Sequence, residues 1–417
     1  MTDPAAELCD ELFGRFSDIG RKDETGVERL AFGRADAEVR AQFRDECHRH
    51  GLHFHVDQIG NQFGLVKAPE EGQKIVLVGS HLDSQPAGGR FDGQLGVAAG
   101  LAVVAIERAK GSLPVGCNLG TVNWANEEGA RFQPSVMGSS VFTGQLALET
   151  ALNARDAQNV LLADELEAKC LAGTSMLPGQ LAAYAELHVE QGSELEEHDL
   201  NIGVVERTWA AYKADIRVRG QQTHTGPTPM AKRIDALAAA ARLIVLVREL
   251  GLRDYNAQLH TAIAWMRITP NSPNATPSLV ELKVELRSPD ESLLDATRAR
   301  LSAEVTSLED EMGVQCELND WSERRASRFC PEIVAGVEAA ISTLGLSVKR
   351  VATIAGHDAV VTNAAGAPTT LLFVPSAGGI THNAAEFTSV EDRHRGVTAL
   401  AVAVKHLLER IETDSPH

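Results

Sequence analysis

The chain has 417 residues, enough for two or three domains, or two large ones, and for a core that needs no disulfide reinforcement. Hydrophobic residues make up 44% and charged residues 23%, which excludes a disordered or collagen-like chain. With 39 Lys+Arg against 57 Asp+Glu, the net charge of −18 repels phosphate backbones and anionic lipid, so neither nucleic acid nor a membrane is an expected partner.

Cys9, Cys47, Cys117, Cys170, Cys316 and Cys330 are scattered with no close pair. That spacing rules out a zinc knuckle, argues against a disulfide framework and suits reduced thiols in a cytoplasm. Met1-Thr2-Asp3-Pro4 is acidic and polar, so no signal peptide is expected. No apolar run of ~18 residues occurs that could span a membrane.

In chain order, 35–51 reads as a helix ended by a glycine, and 74–80 (KIVLVGS) as a buried strand. A helix over 93–110 and strands over 119–125 and 184–189 follow. The middle reads as a strand at 211–219, a helix at 232–250 and strands at 260–267 and 279–287. A helix then opens on a capping box at Ser288-Pro289-Asp290-Glu291, ends near Gly313 and leads to a strand at 314–318. The rhythm of the first third returns with a helix at 331–344, a buried strand at 369–374 (TTLLFV) and a closing helix at 389–411. Strand–helix alternation predicts an α/β domain with a mostly parallel sheet, over 1–210 and 329–417. The β-α-β-β-α-β order of the middle predicts an inserted, ferredoxin-like α+β domain over 211–328.

Candidate chemistry gathers where apolar strands give way to polar residues, the usual ligand edge of a parallel sheet. His81 and Asp83 follow the first such strand, and Asp92 lies in the turn Gly88-Gly89-Arg90-Phe91-Asp92-Gly93. Glu127-Glu128 follow the next strand, His188 lies in Glu186-Leu187-His188-Val189-Glu190-Gln191-Gly192, and His382 follows the last. Adjacent carboxylates diverge at a strand end, so one can bind metal while the other carries a proton. Asp83 is placed to accept the second ring N–H of His81. Three imidazoles with carboxylates suit Zn²⁺, and also Mn²⁺, Co²⁺ or Ni²⁺. Two such ions with a bridging carboxylate would clamp a hydroxide nucleophile. Taken singly, each feature has a plainer meaning: a packed histidine, a solvated acidic pair, a turn. The functional reading rests on four strand ends repeating one pattern.

Other candidates fail. His48, His50, His53 and His55 have no carboxylate motif and read as surface residues. Gly88–Gly93 lacks the order of a phosphate loop, and no GxSxG elbow occurs. Cys117 reads as a buried, inert thiol.

GSHLDSQPAGGRFDGQLGV, NEEGARF, ELHVEQG, GQQTHTGPTPM and GGITHN together resemble the M20 amidohydrolases of the hydantoinase/carbamoylase type. That group includes N-carbamoyl-L-amino-acid hydrolases, β-ureidopropionases and allantoate amidohydrolases. The resemblance runs in order over nearly the whole chain. It implies a metallo-aminopeptidase-like catalytic domain with two divalent ions, zinc first among them, and an inserted lid that forms a homodimer. It implies hydrolysis of a carbamoyl or ureido C–N bond in a small carboxylate-bearing substrate. By position, His81, Asp92, Glu128, His188 and His382 match the metal ligands, with Asp92 bridging, and Glu127 matches the general base. Gln191, His224, Asn274 and Arg287 match substrate contacts, the last three on the lid. His224 would also support the oxyanion, and Asp83 would assist catalysis beside His81. The imidazole of His188 stands where the peptidase branch usually has a carboxylate. Departures at Thr225-Gly226-Pro227, Thr276-Pro277-Ser278, Glu285 and Thr381-His382-Asn383-Ala384 bear on substrate choice, not on the ligand set. An exopeptidase or N-acyl-amino-acid hydrolase on the same scaffold is the alternative. The intact ligand set argues against a non-catalytic binding protein.

Overall fold

The apolar run that ends at His81 lies in the middle of an eight-stranded sheet in the computed structural model, which describes residues 3–111, 113–254 and 256–413. The strands are β1 (His53–Val56), β2 (Gln62–Leu65), β3 (Lys74–His81), β4 (Cys117–Trp124), β5 (Gln180–Val189), β6 (Ile202–Thr208), β7 (Ala210–Arg219), β8 (His260–Thr269), β9 (Leu279–Ser288), β10 (Gln315–Arg324), β11 (Val348–Thr353) and β12 (Thr369–Val374). Two compact units divide the chain. One takes the residues up to Glu206, Arg328–Val351 and those from Ala355 on; the other takes Arg207–Ser327 and Ala352–Ile354.

The first unit's sheet has the order β1-β2-β4-β3-β5-β12-β6-β11. Strands β4, β3, β5 and β12 pair in parallel, whereas β1 with β2, β2 with β4, and β6 with β12 pair antiparallel. The expected mostly parallel sheet is therefore a mixed one. Five residues join β1 to β2, too few for the crossover that a parallel neighbour needs. The four parallel strands are buried almost throughout, and β3 and β12 carry the apolar runs expected of strands covered on both faces. Helices Gln94–Lys110 and Val390–Thr413 pack their apolar residues into this core, joined by Pro4–Ser17, a helix that the chain-order reading passes over. Its start is legible afterwards: Asp3 accepts from the Ala5 N–H at 2.9 Å, and Pro4 sits where a missing N–H costs nothing.

The second unit is a four-stranded antiparallel sheet, order β10-β7-β9-β8, with helices Ala236–Leu252 and Glu291–Met312. In β9 every second residue is buried (Val280, Leu282, Val284, Leu286), the period of a half-covered strand. Leu294, Leu301, Val305 and Leu308 line the core side of the second helix. That helix is capped by Asp290, which accepts from Ser292 N–H at 2.9 Å, and not by Ser288 of the expected capping box. Glu291 does not reach back to a cap; its carboxylate accepts from Ala326 N–H at 3.1 Å.

All six cysteines are free thiols, and burial pushes Cys117 above the ordinary range, which keeps it inert. His48 and His53 are exposed, while His50 and His55 are half-buried. No helix among the described residues is long and apolar enough to cross a membrane.

Candidate metal centre

Parallel strands end on a common edge, and here each ends in a polar residue able to bind a cation. His81 is the last residue of β3, Glu127 and Glu128 follow β4, His188 lies one residue from the end of β5, and His382 follows β12. Two backbone features hold this edge. Gly93 has φ of 63°, and a Cβ there would lie 2.4 Å from the His81 ring, so only glycine fits. Asn126 has φ of 52°, a left-handed kink just before the two glutamates. They diverge, as expected of adjacent residues: Glu127 Oε2 is 3.5 Å from His81 Nε2, and Glu128 Oε2 is 3.5 Å from His382 Nε2.

Asp92 sits between the histidines. Its Oδ1 is 3.4 Å from His81 Nε2 and 3.1 Å from His188 Nε2, and its Oδ2 is 3.4 Å from His382 Nε2. Two three-residue sets result, His81/Asp92/His188 and Asp92/Glu128/His382, each with ligand atoms within 4.8 Å of one another. One carboxylate serves both. His382 is the outlier in setting, with φ of 52° and 48% side-chain exposure where the other ligands are buried.

The charges are not balanced by protein cations. Asp83, Asp92, Glu127, Glu186, Asp358 and Glu386 are buried, and among the described residues no Lys or Arg pairs with Asp92, Glu127 or Glu128. Burial, then the nearby carboxylates of Asp358, Glu128 and Asp83, holds Glu127 well above the usual carboxyl range against the pull of His81. Burial and Asp92 push Glu128 up to about 7. Burial would also raise Asp92, but His188 and His81 overcome it and hold Asp92 well below its usual value. His188 is opposed by burial and still rises to about 9 beside Asp92. These shifts mark a shortage of positive charge around the carboxylates, which a bound divalent ion would supply. The Gln191 Oε1 atom is buried with no hydrogen-bond partner. Nitrogen and oxygen donors around a deficit of positive charge fit a divalent metal.

Two expected contacts take a different form. The Asp83 carboxylate lies 3.8 Å from His81 Nδ1, which instead sits 2.9 Å from the Asp83 backbone carbonyl. The carboxylate accepts from the N–H of Glu127 (3.1 Å) and of Glu128 (3.2 Å), so it holds the acidic pair rather than the ring. Gln191 donates from Nε2 to Asp92 Oδ2 at 3.0 Å.

The sequence reading missed several neighbours. Glu186 accepts from Ser80 Oγ (2.7 Å) and Ala359 N–H (2.8 Å), and forms a third close group with His188 and His357. Its signal was present: two residues before His188 on one strand means the same face. Gln85 donates its backbone N–H to Glu128 Oε1 (3.1 Å) and its side-chain amide to Oε2 (2.8 Å). Asp358 and Glu386 lie far along the chain, and no spacing points to them.

In the second unit, His224 and Asn274 are exposed on adjoining loops, joined by a bridge between His224 and Ala275 and by Thr225 N–H to Asn274 O at 3.3 Å. Arg287 lies at the other end of β9, eight residues past Leu279 and so roughly 27 Å along the strand. It donates from Nε to Glu285 Oε1 at 2.9 Å and from Nη1 to Ile354 O at 2.7 Å. One small molecule cannot touch Arg287 and His224 of the same unit.

The sequence profile of Peptidase family M20/M25/M40 matches residues 77–406. An N-carbamoyl-L-amino-acid amidohydrolase of Rhizobium meliloti is 35% identical over 411 residues, covering 98% of this chain and 97% of its own. The allantoate amidohydrolase of Escherichia coli K12 is 30% identical over 408 residues, covering 96% and 98%. A crystal structure of a hydantoinase/carbamoylase family amidase from Burkholderia vietnamiensis aligns with a TM-score of 0.90 at 34% identity, covering 98% of this chain and 97% of that one.

Proposed function

The chain belongs to peptidase family M20/M25/M40, and from that premise we propose that it hydrolyses the C–N bond of an N-carbamoyl-amino acid or a related ureido acid, releasing amino acid, CO2 and NH3. The observation that carries the reading is Asp92, shared between two histidine–carboxylate sets beside a buried Glu127. His81, Asp92 and His188 would hold one divalent ion and Asp92, Glu128 and His382 a second, zinc being the first choice for these donors and Mn²⁺, Co²⁺ or Ni²⁺ the others. Such ions, when bound, polarise a carbonyl and make water acidic enough to attack at neutral pH.

The protein's own groups do the rest. Glu127 takes a proton from the attacking water and returns it to the nitrogen as the C–N bond breaks. Burial and the neighbouring carboxylates hold it above the usual carboxyl range, the direction a proton carrier needs. Asp83 keeps Glu127 and Glu128 in place through their backbone N–H groups. His224 steadies the oxyanion, Asn274 and Gln191 orient the substrate, and Arg287 takes its carboxylate in a two-pronged bond. Because His224 and Arg287 lie at opposite ends of β9, we assign them to different copies of the chain in a homodimer, each site drawing Arg287 from one copy and His224 with Asn274 from the other.

Strand β8 supports that pairing. It is an open edge of its sheet and carries the exposed Trp265 and Met266, while the neighbouring helix exposes Val245 (57%) and Leu252 (63%). An open edge with apolar residues is a template for another copy. The second unit thus serves as lid and dimer contact, and the unpaired thiols suit the cytoplasm.

The test is a turnover screen of metal-loaded protein on N-carbamoyl-α-amino acids, N-carbamoyl-β-alanine and allantoate, with N-acyl amino acids and dipeptides as controls. Turnover of a carbamoyl or ureido acid is expected. Activity confined to dipeptides or N-acyl compounds contradicts the reading.

A further inference from the structure

Four residues after His382, Glu386 turns back into the protein and is 2% exposed. Its Oε2 accepts two successive backbone N–H groups, from Phe91 at 3.1 Å and Asp92 at 3.2 Å. The partners are nearly 300 residues apart in sequence, so this carboxylate ties the segment carrying His382 to the turn carrying Asp92. The turn is shaped to receive it. A Cβ at Gly89 would stand 1.8 Å from Glu386 Oε2 and 2.5 Å from its Cβ, so the missing side chain of Gly89 is the space that Glu386 fills. The other oxygen, Oε1, is buried with no hydrogen-bond partner.

A buried carboxylate with an unsatisfied oxygen is costly to the fold. Packing alone would be served better by an apolar side chain. What Glu386 supplies that no apolar residue can is a fixed acceptor for the Asp92 amide. Asp92 is the residue on which both ligand sets depend, and its side chain has no freedom to spare between three imidazoles and Gln191.

We propose that Glu386 is the positioning residue of the centre: through the Phe91 and Asp92 amides it sets where Asp92 stands relative to His382, and so the spacing of the two ligand sets. The inference rests on the metal-centre reading above. Groups that orient metal ligands from behind are worth about 10- to 100-fold in metal affinity elsewhere. The role depends on reach, not on charge. Glutamine keeps the reach and an acceptor oxygen, aspartate keeps the charge but falls one methylene short, and alanine keeps neither.

The experiment compares Glu386→Gln, Glu386→Asp and Glu386→Ala with the parent chain, each checked for folding by circular dichroism. Amide exchange at Phe91 and Asp92 is followed in metal-free protein, and Co²⁺ affinity and visible spectrum in metal-loaded protein. Glu386→Asp and Glu386→Ala should exchange these two amides about 10-fold faster or more, bind Co²⁺ about 10- to 100-fold more weakly with an altered spectrum, and lose kcat with little change in KM. Glu386→Gln should recover most of the affinity and protection. If alanine does not fold, the glutamine–aspartate contrast decides. Unchanged exchange and Co²⁺ binding in the aspartate variant, or glutamine as damaging as aspartate, overturns the proposal. A parent chain that binds no Co²⁺ would defeat the metal reading instead, and the exchange comparison would still judge Glu386.

Discussion

Around Asp92 the chain buries carboxylates and imidazoles, with no Lys or Arg among the described residues paired to Asp92, Glu127 or Glu128, whereas the second unit leaves His224 and Asn274 exposed on loops and Arg287 already engaged by Glu285. In the first region the acids and imidazoles of one copy lie within reach of one another, and Gln191 Oε1 and Glu386 Oε1 are left without hydrogen-bond partners. The second has a core of its own, and its three candidate contacts are not gathered together. A cluster bound by electrostatics can be read from one chain, while exposed residues proposed to meet a substrate or a second copy show no such gathering.

The sharpest way to break this contrast is at Glu127. Glu127→Gln should lower kcat by about 100- to 10,000-fold while metal content stays unchanged, as measured by metal analysis beside steady-state kinetics. Retained turnover at full metal content would remove Glu127 from proton transfer. In the second region, His224→Ala should cost about 100- to 1000-fold in kcat, again with metal retained, because an oxyanion donor acts only as the reaction proceeds. Arg287→Ala should raise KM about 10- to 100-fold for carboxylate-bearing substrates and leave uncharged amides nearly unaffected. If the two residues act from different copies, mixing the impaired His224→Ala and Arg287→Ala chains after dissociation should restore kcat/KM on carboxylate-bearing substrates to about a quarter of the parent value, since half of the dimers regain one intact site. Mixed chains that stay impaired would place both residues in one copy or neither in the site.

How much of this could be read in advance follows the same division. The run KIVLVGSH and the run TTLLFV were legible because a strand buried on both faces must be apolar throughout, and its polar end marks the ligand edge. Strands β1, β2, β6 and β11 were missed or only half seen, because short or partly exposed strands have no such run. The antiparallel pairing of β1, β2 and β6 is also what makes the sheet mixed. The candidate ligand residues stood in local motifs, but Asp358 and Glu386 meet them only through folding, and the contact Asp83 makes depended on which of its oxygens faced the ring.

A smaller effect separates the centre from ordinary burial elsewhere in the first unit. Between β1 and β2, burial raises Asp57 to about 6 despite its hydrogen bonds from Asn61 and Ile59. Its folded pKa exceeds the unfolded ~3.9, so its contribution to stability is full below ~3.9 and is lost as pH rises through about 6. Relative to Asp57→Asn, the parent chain should lose on the order of 1 kcal/mol of stability between pH ~5 and ~8 in urea unfolding. A pH-independent difference would show that Asp57 titrates normally.

The central claim is that strand-end residues far apart in sequence hold a pair of divalent ions that the reaction requires. It is tested most directly by counting metal per chain while following N-carbamoyl-amino-acid turnover through chelation and reconstitution. The account predicts two ions per chain at full activity, loss of turnover on their removal, and recovery when they are returned. Full turnover after exhaustive chelation, with no metal remaining, would contradict it.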